Sequence, residues 1–340
     1  MGFVKKIFSW AEEIGYDPPR RTFRETGGLM ARLKAAVAAG SVGGLWLLNR
    51  RLEGGGRPPD GLGGAARRFR WRGGELAYSV AGEGEPLLLV HGIYAGASSL
   101  EFRQNFEDLS RSFRVYALDL LGCGLSEKPR RRYGPEDVAS QVEDFAREEI
   151  GGGAHLVASS LAAALAVPAA VRSPRLFKKL VLVCPTGQGT LDRPSGALGE
   201  AVLGLFEAPI LGDSLYHLLV SRAGIRYYLK GMAYHDPALV TDGVVEDYYR
   251  AGHGPGARHF PASFVAGKLN IGIRDLWPRV PHKSLVCWGQ EAKTVPLSDL
   301  NDFTRNNPRA EPRVFRDAAL LPHVERAATF NEEARKFLST

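Results

Sequence analysis

The amino-acid sequence predicts an α/β fold, in which a mostly parallel β-sheet is covered by helices on both faces. Short apolar strands alternate with stretches of helical periodicity from Phe69 onward, and one strand passes directly into a helix. Such alternation is typical of parallel sheets, because each helix serves as the crossover between two strands. The predicted strands are Leu76–Val80, Pro86–His91, Arg114–Asp119, His155–Ser159, Leu180–Cys184, Ser284–Gly289 and Arg313–Arg316. The predicted helices are Leu100–Leu109, Pro135–Glu149, Leu161–Arg172, Pro296–Arg305 and Thr329–Leu338.

One long helical stretch interrupts this alternation. About 100 residues separate the strand that ends at Cys184 from the strand that begins at Ser284, which is far more than a crossover needs. We therefore predict a helical cap over residues 186–279, inserted between two parts of one core at 67–185 and 280–340.

The N-terminal segment, residues 1–66, differs in composition from the rest of the chain. Residues 1–72 contain 14 Lys and Arg against 6 Asp and Glu, whereas the other 268 residues contain 30 against 31. The basic charge therefore belongs to the extension. This distribution argues against a nucleic-acid groove on the body and favours contact between the extension and an anionic surface, such as a membrane.

Two apolar stretches within the extension bear on that contact. Apolar residues at helical spacing near the N-terminus indicate a short amphipathic helix. The run Ala35–Leu48, about 14 apolar and small residues between basic flanks, is shorter than the 17–25 residues of a spanning helix. Two interpretations stay open for this run: a helix packed on the body or on a partner, or a membrane attachment. Gly54–Gly64 is predicted to be a linker.

Cofactor and metal sites are not indicated by the sequence. Cys123, Cys184 and Cys287 lie far apart with no metal-ligand spacing, and the histidines also lack such spacing. The glycine-rich turns near Gly92 and Gly122 lack the context of a dinucleotide site. Buried, reduced thiols favour a cytoplasmic protein.

Three motifs occur in order along the predicted strands. A buried strand ends in His91-Gly92, a second strand leads into the Asp119–Ser126 loop with its alternating glycines, and a third turns into a helix at Ala158-x-Ser160-x-Ala162. Together they resemble the α/β-hydrolase family over roughly Phe69–Leu338. The resemblance implies an eight-stranded sheet with the helical cap after the sixth strand.

The resemblance also implies functional positions around Ser160. A nucleophile elbow needs small residues two positions before and after the serine, because the strained turn leaves no room for larger ones. This requirement selects Ser160 rather than Ser159, which would bring Leu161 into a tight position. The implied oxyanion donors are the backbone N–H groups of Ile93 and Leu161.

The acid and base positions of the family depart from its pattern. The loop that normally presents the acid contains Ala292, and the position of the histidine contains Leu320. Glu291, one residue before the acid position, and His323, three residues after the base position, are the candidates for a substitute acid and base. Against this substitution, a shift of one residue in an extended loop reverses the direction of the side chain.

Three functional hypotheses follow from these positions. The first is a serine hydrolase of a small apolar ester with a non-standard base. The second is a pseudoenzyme that binds a ligand or partner in the former pocket, and the third is a lyase or isomerase that uses the oxyanion pocket. In the enzymatic hypotheses, a small molecule binds under the cap, and catalysis without the usual base and acid is expected to be slow.

Overall fold

The structure, a computed structural model, describes residues 42–54 and 60–340. Its strands are β1 Ala65–Trp71, β2 Gly74–Ala81, β3 Pro86–Val90, β4 Arg114–Leu118, β5 Ala154–Ser159, β6 Phe177–Val183, β7 Ser284–Gly289 and β8 Ala310–Phe315. They form one eight-stranded sheet in the order β1-β2-β4-β3-β5-β6-β7-β8. The β1–β2 and β2–β4 pairs are antiparallel and all other pairs are parallel. The predicted mostly parallel sheet is confirmed.

The described α-helices surround the sheet and fill the interval between β6 and β7. They are α1 Val42–Glu53, α2 Phe106–Ser110, α3 Pro135–Asp144, α4 Ser160–Arg172, α5 Ala197–Glu207, α6 Leu211–Leu219, α7 Arg222–Tyr228, α8 Asp242–Ala251, α9 His259–Val265, α10 Leu300–Asn306, α11 Pro322–Glu325 and α12 Ala327–Ser339. Short π-helical segments continue α3 over Phe145–Ile150 and α7 over Leu229–Ala233. We call residues 186–279, with α5 to α9, the insertion.

The central strands are apolar on both faces, because helices cover both sides of the sheet. Side chains alternate between the faces along each strand. Leu87 and Leu89 of β3 pack into a cluster with Phe106 and Phe330, from α2 and α12. The alternate residues, such as Leu88, belong to a larger cluster on the other face, which includes residues of α3, α4 and the insertion. This packing fixes the ends of β3 and β5, where the candidate site lies.

Two local predictions need correction. Strand β1 begins at Ala65, before the expected start of the body, and it was absent from the predicted strands because its sequence is rich in arginine; only Phe69 and Trp71 are buried. The helix predicted over Leu100–Leu109 is divided into a 3-10 turn, Ser99–Phe102, and helix α2. The division lets the buried side chains of Glu101 and Asn105 reach different atoms of one residue, His323.

Helix α1 is the described part of the N-terminal extension, and it packs on α6 of the insertion. The Asn49 side chain donates to Ile210 O at 2.9 Å and to Ser214 Oγ at 3.0 Å. The predicted amphipathic helix and the first part of the apolar run lie outside the described residues. In the part of the chain that the structure describes, every helix is too short or too polar to cross a bilayer.

Candidate active site

Ser160 lies at a sharp turn between β5 and α4. Its φ is 54°, in the left-handed region, whereas the preceding Ser159 has extended dihedrals and is fully buried. A residue other than glycine adopts positive φ only where the surrounding structure enforces it, and such strain is frequent at functional sites. Ser160 therefore has the strained strand–helix turn that the sequence predicts. Its half-buried hydroxyl has no hydrogen-bond partner among the described residues.

The two residues expected to offer oxyanion N–H groups lie close to the ends of neighbouring strands. In the parallel register of β3 and β5, Val90 is opposite Ala158, and each strand enters its turn within two residues. Ile93 follows β3, and Leu161 is the second residue of α4; both are buried in the same apolar cluster. The adjacency of these strands brings the loop after β3 close to the elbow.

Two side chains anchor the loops around this edge of the sheet. The His91 ring is fully buried, with Nδ1 at 2.7 Å from Gly92 O and Nε2 accepting from Leu120 N at 3.2 Å. Asp119 accepts hydrogen bonds from Ser99 N at 2.6 Å and Leu125 N at 2.7 Å. Both side chains fix backbone and neither has a hydrogen bond to Ser160 among the described residues.

A buried carboxylate, Glu101, supports the loop that follows β3. Its Oε2 atom accepts from Gly92 N at 3.0 Å and from the Tyr94 hydroxyl at 2.5 Å. Its Oε1 atom lies 2.9 Å from His323 Nε2, and both side chains of this pair are fully inaccessible to solvent. A buried charge is tolerated only when it is paired and hydrogen-bonded. The Glu101 carboxylate has three such partners here. Its pair with His323 connects the loop after β3 to helix α11.

The ionisation of this group follows from its surroundings. Burial by itself raises the pKa of Glu101, but the hydrogen bonds and charge of its partners, first of all His323, outweigh burial and hold that pKa below its ordinary value. Burial and the Glu101 charge raise the pKa of Tyr94 well above its ordinary value. Glu101 is therefore an ionised acceptor and Tyr94 a neutral donor at neutral pH.

The structure does not bring the two candidate substitutes, His323 and Glu291, together. His323 packs between Phe102 and Phe330 and pairs with Glu101. Glu291 instead accepts from Ala318 N at 2.9 Å, in the loop after β8. Each side chain thus has a structural partner, and no hydrogen bond joins either of them to Ser160 in the described part of the chain.

The residues at the acid and base positions of the motif are buried in an apolar environment. Ala292 and Leu320 are 8% and 7% exposed and belong to the cluster that also contains Ile93 and Leu161. Their two loops are in direct backbone contact: a Cβ atom added to Gly289 would lie 1.9 Å from Ala319 O. The backbone of these loops is therefore closely packed, and the side chains at the two positions can neither accept nor orient a proton.

Tyrosines from the insertion pack on the loop after β3. The Tyr94 ring is stacked on Tyr248 of α8, with ring centroids 5.4 Å apart, and lies 6.0 Å from Tyr228 of α7. A second contact is made by Glu325, whose carboxylate accepts from Ala319 N in the core and from His235 N and Asp236 N in the insertion, at 2.7, 2.7 and 3.0 Å. The insertion is thus joined to both groups of loops at this edge of the sheet.

Sequence reasoning missed Glu101 and Tyr94. One signal was available for Glu101, because a charged residue between Leu100 and Phe102 interrupts an apolar stretch and needs a buried partner if that stretch packs inward. The identity of the partner was not available from the sequence, since His323 is 222 residues away along the chain.

Comparison with known proteins identifies the family. The model of the alpha/beta hydrolase family matches residues 87–333, which is more than half of the chain. This chain belongs to the α/β-hydrolase family. The match extends from β3 to α12, so it includes the elbow, the insertion and the last two strands.

Among similar members of the α/β-hydrolase family is 2-hydroxymuconate semialdehyde hydrolase of Pseudomonas sp. (strain CF600). It is 30% identical to this chain over 274 residues, which are 76% of this chain and 88% of that protein. A solved serine hydrolase involved in carbazole degradation has a TM-score of 0.68 and 22% identity, covering 81% of this chain and 98% of its own. A membrane phospholipase A has a TM-score of 0.64 and 22% identity, covering 92% and 97%. These two structural similarities concern the fold.

Proposed function

We propose that this chain binds a small, largely apolar carbonyl compound such as an ester over Ser160, and hydrolyses it much more slowly than a serine hydrolase with a complete triad does. The observation that supports this proposal most directly is the contrast at Ser160. The serine has the strained elbow geometry, with φ 54°, but no described histidine forms a hydrogen bond with its hydroxyl.

The elbow supports binding and activation of a carbonyl group. In the proposed complex, the carbonyl carbon lies next to Ser160 Oγ, and the carbonyl oxygen accepts from the N–H groups of Ile93 and Leu161. Donors that are oriented before the reaction stabilise the oxyanion that develops after attack, because no reorganisation is needed at that moment. Glu101, by holding Gly92 N, contributes to that orientation.

The tyrosines beside the loop after β3 support an apolar or aromatic ligand. Tyr94, Tyr228 and Tyr248 form an aromatic group between the loop after β3 and the insertion, which we propose acts as a cap. Small-molecule sites are mostly lined by apolar and aromatic side chains with a few polar groups that orient the ligand. In the same region, the Tyr94 hydroxyl is bound to Glu101, so it is not free to orient a ligand.

The low rate follows from the absence of a base. A serine hydroxyl is a weak nucleophile unless an adjacent base takes its proton, and the base in turn needs an orienting acid. Ala292 and Leu320 offer neither. A triad rebuilt from Ser160, His323 and Glu291 would require His323 to leave Glu101 buried without its partner, which costs several kcal/mol.

Hydrolysis of a p-nitrophenyl acyl ester by the purified full-length chain tests the proposal. We expect turnover that is slow but above the buffer rate, and we expect Ser160→Ala to reduce it. If the His323→Ala variant is folded, we expect it to hydrolyse the ester at the rate of the unmodified chain. A second assay uses 2-hydroxymuconate semialdehyde, after which the similar hydrolase is named.

Other outcomes would support different functions. Turnover at the rate of an ordinary serine hydrolase that is abolished by His323→Ala would establish the rebuilt triad. Ligand binding measured by a thermal shift, with no turnover above that of the Ser160→Ala variant, would make the protein a pseudoenzyme that retains the pocket. The absence of both binding and turnover would refute the proposal.

We also propose that residues 1–66 attach the chain to an anionic membrane surface. The described part of this segment supports the proposal, because α1 exposes Trp46 and Leu47 beside the basic residues Arg50 and Arg51. Tryptophan and basic residues on one helix face are typical of helices that lie in the membrane interface. Sedimentation of the full-length chain with anionic vesicles, but not with neutral ones, and its reversal by salt would support this attachment. Equal sedimentation with both vesicle types would refute it.

A further inference from the structure

Most of the large apolar side chains that the described part of the chain exposes lie on three neighbouring helices. Six such residues are exposed, and five of them lie on only three helices: Val42, Trp46 and Leu47 of α1, Leu198 of α5 and Leu211 of α6. The sixth, Val314, lies on the edge strand β8. We call the first five the apolar patch.

The three helices of the apolar patch are neighbours. Helix α1 packs on α6, and the α1 side chain of Asn49 bonds to Ile210 O immediately before Leu211. Helix α6 in turn packs on α5, the helix of Leu198. The helix that bears exposed apolar residues in the extension therefore adjoins the helices that bear them in the insertion, although Leu47 and Leu198 are 151 positions apart in the sequence.

The outward face of α1 has the composition of a lipid interface. Asn49 is buried on the inner face, whereas the consecutive pairs Trp46-Leu47 and Arg50-Arg51 are exposed. The Arg50 guanidinium lies 4.8 Å from the centre of the Trp46 ring, so the basic and aromatic groups are together. An amphipathic aromatic ring and a basic group match the interfacial region of an anionic bilayer.

We propose that α5 and α6 of the insertion contact an anionic bilayer together with α1, so that the insertion itself rests on the membrane. This inference depends on the proposed membrane attachment and extends it from the extension to the body. A bilayer fits better than a protein partner for two reasons. The chain that precedes Val42 ends at the apolar patch, and residues 1–66, which include that chain, contain 10 basic residues against 6 acidic ones. The attraction of anionic lipid for such a segment brings the adjoining helices to the surface.

The exposed leucines are expected to add apolar contact to this attraction. Leu198 and Leu211 are 78% and 50% exposed, so each can lose most of its contact with water when it enters the interface. Burial of one leucine side chain changes a binding constant by roughly tenfold or more. Their exposure also means that replacing them should affect the packing inside the insertion less than replacing a buried leucine would.

Vesicle binding by the full-length chain tests the inference with a matched control. The vesicles contain phosphatidylcholine with one-third phosphatidylglycerol, and the bound fraction is measured by sedimentation. We expect the double variant Leu198→Glu with Leu211→Glu to bind at least about tenfold more weakly than the unmodified chain. The control is Val314→Glu, the same type of change at the exposed apolar position of the edge strand, which is expected to bind within about twofold of the unmodified chain.

The possible outcomes separate this inference from the attachment on which it depends. If the unmodified chain binds and the double variant binds equally well, the extension alone contacts lipid and the inference is overturned while the attachment stands. If the double variant is weakened no more than two added charges account for, with the factor for one charge taken from Val314→Glu, the effect is one of charge and the inference is also overturned. If the unmodified chain does not bind, both proposals fail. Circular dichroism and denaturant unfolding of each variant show whether a loss of binding reflects a loss of folding.

A spectroscopic measurement adds a check on the position of the patch. Trp10 also lies in the extension, so the measurement starts from a Trp10→Phe variant. Brominated lipid in the same vesicles should quench the tryptophan fluorescence of this variant, and adding Trp46→Phe should remove most of that quenching. Quenching that is unchanged by Trp46→Phe would overturn the proposed orientation of α1 and the insertion on the lipid.

Discussion

The candidate site has two sides, which differ in whether the residues at the expected catalytic positions have reactive side chains. The elbow side consists of residues 91–96 after β3 and 159–162 at the start of α4, and it combines a strained serine with a buried Glu101 that binds Gly92 N and Tyr94. The C-terminal side consists of residues 289–292 after β7 and 318–323 after β8. Its two loops are in close backbone contact, but Ala292 and Leu320 are apolar.

The loops of the C-terminal side thus pack closely although the side chains at positions 292 and 320 are apolar. On the C-terminal side, Glu291 and Glu325 accept backbone N–H groups of Ala318 and Ala319 and hold the loop in position. The only histidine of this side, His323, has no hydrogen bond to the elbow serine and pairs with Glu101. A residue from the C-terminal side therefore stabilises the elbow side.

The largest effect is expected when the missing side chains are restored to the C-terminal side. The double variant Leu320→His with Ala292→Asp should hydrolyse a p-nitrophenyl ester about 10²–10⁴-fold faster than the unmodified chain, because a general base contributes about that much. Initial rates at several substrate concentrations measure the gain in kcat.

The control for this restoration is Ser160→Ala in the same background, which should remove the gain. A restored variant that is folded but no faster than the unmodified chain would mean that the two sides are not aligned for catalysis. The C-terminal side would then lack more than the two catalytic side chains.

A second effect is expected from removing the pair that joins the two sides. His323→Leu should lower the free energy of unfolding by about 3–5 kcal/mol, because it leaves the Glu101 carboxylate buried without its main partner. Denaturant unfolding measures this change.

The chain offers a matched control in a second histidine–glutamate pair. His155 Nε2 lies 2.9 Å from Glu85 Oε2, but the Glu85 side chain is 53% exposed. Glu85→Gln should cost no more than about 1 kcal/mol, since exposed pairs contribute little. Equal losses in the two variants would contradict the proposed importance of burial at Glu101.

The smallest effect concerns pH and separates the insertion from the elbow side. Burial, and then the nearby His253, lower the pKa of His217 in α6 to about 4. The unfolded chain therefore binds a proton at this residue between about pH 6.5 and 4, where the folded chain does not. As the pH decreases through that window, the free energy of unfolding should decrease. This residue should account for about 2 kcal/mol of the decrease at pH 5.

Denaturant unfolding at pH 8 and pH 5 measures this dependence. His217→Gln should lose less stability than the unmodified chain between the two values, whereas replacement of the exposed His235 should change nothing. The pKa of Glu101 is lowered in the folded chain, so the stability that its ionised form contributes is lost only when the pH falls below the ordinary pKa range of a glutamate. The elbow side should therefore keep its stability between pH 8 and pH 5. An equal loss of stability between pH 8 and pH 5 in the unmodified chain, in His217→Gln and in the His235 variant would refute the assignment to His217.

The fold and the position of Ser160 could be predicted because their signals are local. A buried parallel strand is a continuous apolar run, and an elbow excludes large residues two positions before and after its serine. The pairing of Glu101 with His323 could not be predicted, because it depends on how distant segments pack. For the same reason, the substitute acid and base, Glu291 and His323, were selected by their distance from the motif positions along the chain, although the structure gives them separate partners. Strand β1 was missed because its arginines obscure the alternation that Phe69 and Trp71 follow.

The contact between Gly96 and helix α8 has a consequence for how the surroundings of the elbow can evolve. Gly96 has a φ of 82°, and a Cβ atom there would lie 2.4 Å from Tyr248 O. Any larger residue at position 96 would therefore displace helix α8, and with it Tyr248, relative to the loop after β3. Such a mutation would arise in a loop far from the insertion in sequence, and it would be tolerated only with a compensating change in α8. Directed-evolution libraries that vary position 96 and α8 together would sample arrangements of this contact that neither segment reaches alone.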